Sequence, residues 1–151
     1  MRKLIVAIKR YEKALESVRR AVDLSHGLDH LPNKANVFIK PNIVFWTRTT
    51  PFPKWGVVTT SRVVEDMVIL LKERGIEEMT ILEGTVTHDP HDPKDRETPA
   101  HAFESLGYNG LKKRYGVKTL NVFERPFKKV DLGGGVILDL NEEIVKNDLL
   151  D

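Results

Sequence analysis

The sequence of 151 residues contains no cysteine. Within these residues that excludes disulfides, thiolate-ligated iron–sulfur clusters and any zinc site built on sulfur. An excess of charge is also missing: 24 basic residues face 22 acidic ones, for a formal net charge of +2. A dedicated nucleic-acid binder usually carries a basic stripe, so this balance argues against that class. The apolar run near the start, residues 4–8, is too short for a signal-peptide core or a membrane span. No membrane partner is expected, and the default location is the cytoplasm. Internal repeats and low-complexity tracts are absent. So are a Ser-His-Asp constellation, a nucleophile elbow and a Walker motif.

What is present is an ordinary globular composition, 40% apolar and 30% charged. A chain of this length is the size of one domain, and folding at this size hides roughly 70% of the extended surface. Residues 4–8 are rich in β-branched side chains and read as a buried first strand. Residues 11–26 show helical spacing, with Leu15, Val18 and Val22 on one face and Glu12, Glu16, Arg19 and Arg20 on the other. Gly27 is the expected left-handed residue after that helix. Residues 36–39 form a second strand that Pro41 stops. Residues 60–74 predict a helix with Val64, Met67, Val68 and Leu71 on one face, capped by Thr60 or Ser61 and closed by Gly75. Residues 79–82 are a third strand. A short helix from Thr98-Pro99 to Gly107 and a helical turn at 111–115 precede a fourth strand at 116–122. Residues 127–132 and 136–140 flank Gly133-Gly134-Gly135 as a hairpin. The alternation predicts an α/β fold: a three-layer sandwich with a mainly parallel sheet of about four strands flanked by helices, plus a C-terminal β-hairpin.

In open parallel sheets, ligands bind outside the carboxyl ends of the strands. Here those ends are Lys40-Pro41-Asn42 and Glu83-Gly84, each followed by a long connection. Lys40 offers a mobile cation, and Asn42 both a donor and an acceptor. A helix starting near Thr60 adds free backbone N–H groups and the positive end of its dipole. An anion pocket built from Lys40, Asn42, Thr59, Thr60, Ser61 and Glu83 would suit a phosphate or a carboxylate. The plain alternative is that Pro41-Asn42 only turns the chain and Lys40 is solvated. No catalytic residue is assigned. The connection at 43–58 is unusually long for such units and holds Phe45, Trp46, Phe52 and Trp55. It suits a lid, or a docking surface for a homodimer or a further domain.

Other motifs carry less. His88-Asp89-Pro90-His91-Asp92 groups two histidines with two carboxylates, but spacing supplies no third ligand. No metal site is therefore expected, and His88 and His91 are the residues that would form one. His101 reads as a solvated or structural histidine. The three glycines lack the dinucleotide fingerprint and suit a hairpin turn. Lys112-Lys113-Arg114 and Lys128-Lys129 read as solvated faces.

The segment Val37-Phe38-Ile39-Lys40-Pro41-Asn42-Ile43-Val44 resembles the signature of the domain-of-unknown-function 362 family. Gly56 with Thr59-Thr60, Leu71-Lys72-Glu73-Arg74-Gly75, Ile81-Leu82-Glu83-Gly84, Phe103, Gly107-Tyr108 and Tyr115-Gly116-Val117 resemble its following motifs in order. The resemblance implies a cytoplasmic protein of no settled activity, often joined to ferredoxin-like cysteine motifs. It also implies that residues 1–151 are a single α/β domain forming the N-terminal portion of a longer protein. An iron–sulfur cluster would then lie in a C-terminal region beyond this chain, and no cofactor within it.

Overall fold

The computed structural model describes residues 5–43, 58–84, 98–123 and 126–145. Their elements follow in the order α1 (Glu16–Ser25), β1 (Val37–Ile39), α2 (Ser61–Glu73), β2 (Met79–Glu83), α3 (Thr98–Ser105), α4 (Tyr108–Tyr115), β3 (Lys118–Asn121), β4 (Phe127–Asp131), β5 (Ile137–Asn141) and α5 (Glu142–Val145). Strands β1, β2 and β3 form a parallel sheet in that order, and β4 and β5 an antiparallel hairpin. The fold is therefore mixed α/β, with a parallel sheet and an appended hairpin.

Register places Val37 beside Met79, and Ile39, Ile81 and Thr119 in the next row of the same face. Glu83 and Asn121 end that face. Val37, Ile39, Met79 and Ile81 join a core with Val64, Val68 and Leu71 of α2, Phe103 of α3, and Tyr108 and Leu111 of α4. The rings of Phe103 and Tyr108 meet edge to face, with centroids 5.8 Å apart. Helix α1 packs on α2, and α2 on α4. Phe38, Thr80, Leu82 and Leu120 alternate to the opposite face and are half-buried, outside this core. Among the described residues, helix packing in the core is thus seen on one face, where a sandwich with helices on both was expected.

About four strands were expected in the mainly parallel sheet, and among the described residues three form it. Residues 5–8 lie in no ladder, and Val6 and Ile8 are 85% and 93% exposed. A β-branched run supplies strand propensity, but a strand forms only where an edge accepts its hydrogen bonds. Helix α1 begins at Glu16, five residues later than its apolar spacing suggests. Leu15 takes a positive φ of 60°, which breaks the helix before it. The N–H groups of Glu12 and Lys13 bond instead to the buried Ser17 Oγ. At the other end His26, not Gly27, takes the left-handed position, with φ 55°. Its Nδ1 lies 2.8 Å from Asp29 Oδ2.

The core should be sensitive to loss of volume. Leu71 is 1% exposed. Leu71→Ala should lower stability by about 2–5 kcal/mol, read as a shift of the urea midpoint at unchanged slope.

Candidate functional site

Both ends of the long 44–57 connection are rooted in the core, because Ile43 is fully buried and Val58 is 6% exposed. The residues that flank them, Asn42 and Thr59, bond to each other. The Asn42 N–H donates to Thr59 Oγ1 at 2.9 Å, and the Thr59 N–H donates back to the Asn42 carbonyl at 2.8 Å. The end of β1 is thereby tied to the start of α2. Thr60 takes the N-cap position with an extended backbone, yet its side chain makes no capping bond. The expected cap is present in place and absent in chemistry, so α2's first-turn N–H groups are not satisfied by it.

Glu83 ends β2 on the core face, and its side chain is 8% exposed. A buried carboxylate is costly unless its oxygens are hydrogen-bonded. Here Oε2 accepts from Lys40 Nζ at 2.9 Å and from the Ile43 N–H at 3.2 Å. Oε1 accepts from the Gly84 N–H at 2.9 Å. One carboxylate thus gathers the ends of β1 and β2. The lysine is the exposed member, with 63% of its side chain open to solvent.

A third element supports the same place. Tyr108, the first residue of α4, is fully buried and donates its hydroxyl to the Thr59 carbonyl at 2.7 Å. Gly107 before it has φ +86°, and a Cβ there would lie 3.2 Å from Ser61 Oγ. Glycine is what lets α4 start against the start of α2. Burial, with the charge of Glu83 adding to it, pushes the Tyr108 phenol far above its ordinary range. On the β3 side, the Phe123 ring covers Gly84, where a Cβ would lie 2.5 to 2.9 Å from ring carbons. Phe123 itself is 62% exposed.

A family model, "Domain of unknown function (DUF362)", matches residues 37–150. The chain belongs to the DUF362 family. No curated protein and no solved structure gives a significant match. In this DUF362 chain the six expected ligand-binding residues converge at the carboxyl ends of the strands. Lys40 touches Glu83, Asn42 pairs with Thr59, and Thr60 and Ser61 begin the adjoining helix. Sequence reading missed Tyr108, Phe123 and the Ile43 N–H. The family-like pair Gly107-Tyr108 was the one available signal for the first of these.

His88, His91 and the aromatic residues Phe45, Trp46, Phe52 and Trp55 lie outside the described residues. His101 sits on α3 with its ring against the Ser105 hydroxyl. Among the described residues, no group of three His, Cys, Asp or Glu side chains could hold a metal ion. No helix among them is long and apolar enough to cross a membrane.

Two outcomes follow from this geometry. Glu83→Ala should cost more stability than Lys40→Ala, because it orphans two backbone donors at about 1–3 kcal/mol each, whereas the lysine is largely solvated. Equal midpoint shifts in chemical denaturation would contradict the assignment. Tyr108 has its phenol pKa raised in the folded state, so its stabilisation is intact below the ordinary phenol value near 10. That stabilisation falls as pH climbs above that value toward the folded one. Alkaline difference spectroscopy should show one tyrosine ionising only as the protein unfolds, and Tyr108→Phe should abolish that late step.

Proposed function

We propose that this DUF362 domain binds a small anionic ligand or cofactor in the crevice at the ends of β1 and β2, against the start of α2. The observation that carries the reading is the gathering of a solvent-exposed ammonium, the Asn42–Thr59 clasp and a helix start without a side-chain cap. Lys40 supplies the charge, Asn42 a directional polar group, and α2 backbone donors aligned with its dipole. A phosphate or carboxylate is the chemistry that uses all three. Phe123 offers an apolar wall for the rest of such a ligand.

The setting we propose is cytoplasmic and redox-related, following the family's resemblance to iron–sulfur-linked proteins. The donor set of this chain does not fit a cluster, since it has no thiolate. No step is routed through one, and any cluster would take its ligands from elsewhere. The alternative role, docking or oligomerisation through residues 43–58, makes no use of the Lys40 charge and so separates from the first by experiment.

Titration of ¹⁵N-labelled protein with inorganic phosphate should move the amides of Asn42, Thr60 and Ser61. Lys40→Ala should weaken that binding roughly tenfold or more, since a charge-assisted hydrogen bond contributes about 1.5–3 kcal/mol. If those amides stay still through millimolar phosphate, sulfate and a dicarboxylate, the anion reading fails. Self-association that depends on Trp46 and Trp55 would then favour docking.

A further inference from the structure

We propose that Lys40 is a swinging cation, parked on Glu83 in the unliganded protein and transferred to the ligand on binding. Glu83 thereby sets the affinity of the crevice. This rests on the anion-binding reading above and deepens it.

The two partners of the ion pair are held unequally. Glu83 is nearly buried and, besides the lysine, accepts from two backbone N–H donors, those of Ile43 and Gly84. Ile43 is itself fully buried, and Gly84 lies under the Phe123 ring. Those donors are fixed by packing, so the carboxylate stays satisfied where it is. Among the described residues Lys40 has no comparable hold. It stands just past the end of β1, its side chain is 63% exposed, and among the described residues its ammonium bonds to Glu83 Oε2. An ion pair with a solvated ammonium is weak and its long stem is mobile. When the pair breaks, it is therefore the lysine that leaves.

The consequence is a built-in restraint on binding. An incoming anion must take the ammonium from a carboxylate that holds it already, and must do so close to a buried negative charge. Only a ligand that also uses the α2 donors recovers that cost. The parked pair thus favours a doubly charged or multidentate anion over a lone halide.

The test uses the full 151-residue chain and inorganic phosphate, followed through backbone amides and the Lys40 side-chain Cε and Nζ resonances. In the wild type, phosphate should shift the Ser61 amide and the Lys40 ammonium together, while the Ile43 and Gly84 amides hold still. Glu83→Gln should raise phosphate affinity roughly two- to fivefold, the fold-change that matches loss of a weak ion pair. In the Lys40→Ala background the same change should give little gain. A thermal melt of each variant checks that it is folded, and the wild-type titration stands without any variant. A Ser61 shift with Lys40 unmoved, or with Gly84 moving alongside it, overturns the swing and leaves the anion reading in place. An equal gain from Glu83→Gln in both backgrounds also overturns it, since that would be a simple field effect. No shift at Ser61 or Asn42 refutes the anion reading itself.

Discussion

The architecture of the crevice depends on burying one carboxylate. Glu83 sits at the end of the middle strand, where a charged side chain is tolerated only if its oxygens are fully engaged. The donors that engage it come from three places: the residue after its own strand, the turn after β1, and the Lys40 ammonium. Because these bonds radiate from one point, they fix the spacing of the two strand ends more tightly than the short β1–β2 ladder could alone. The Asn42–Thr59 exchange then inherits that position and passes it to α2. Tyr108 brings in α4 from the other side. The positions of Lys40, Thr60 and Ser61 are consequences of that anchoring.

The same arrangement explains why the site is polar yet stable. Its fixed partners are backbone groups and a buried phenol, and its exposed charge, the Lys40 ammonium, rests on Glu83. Buried and exposed groups are divided between neighbours. Ile43, Glu83 and Tyr108 hold, while Lys40 and Asn42 face solvent. The Lys40-Pro41-Asn42 triplet therefore combines two turn-like exposed residues with a buried proline between them.

Much of the fold was legible in the residues. The apolar face of 60–74, the stop at Pro41 and the hairpin around three glycines are local signals, and each reappears within one or two residues. The glycines 133–135 all have positive φ, as the turn requires. The start of α1 was not legible, because apolar spacing continues upstream of the backbone break at Leu15, where Ser17 Oγ takes the N–H groups of Glu12 and Lys13. The fate of residues 5–8 was hidden for a related reason: propensity is local, whereas ladder pairing is not. For the site, Lys40 and Glu83 could be placed at strand ends by pattern alone. Their direct contact depends on register between β1 and β2, and the Tyr108–Thr59 bond on the docking of α4 beside α2, neither of which a motif encodes.

The most direct measurement of the central claim is native-state hydrogen exchange at the Ile43 and Gly84 amides. If Glu83 is the clasp, both should be protected nearly as strongly as the core amides of β2, and Glu83→Ala should sharply weaken that protection. Exchange of both amides at the rate of an open loop in the wild type would contradict it.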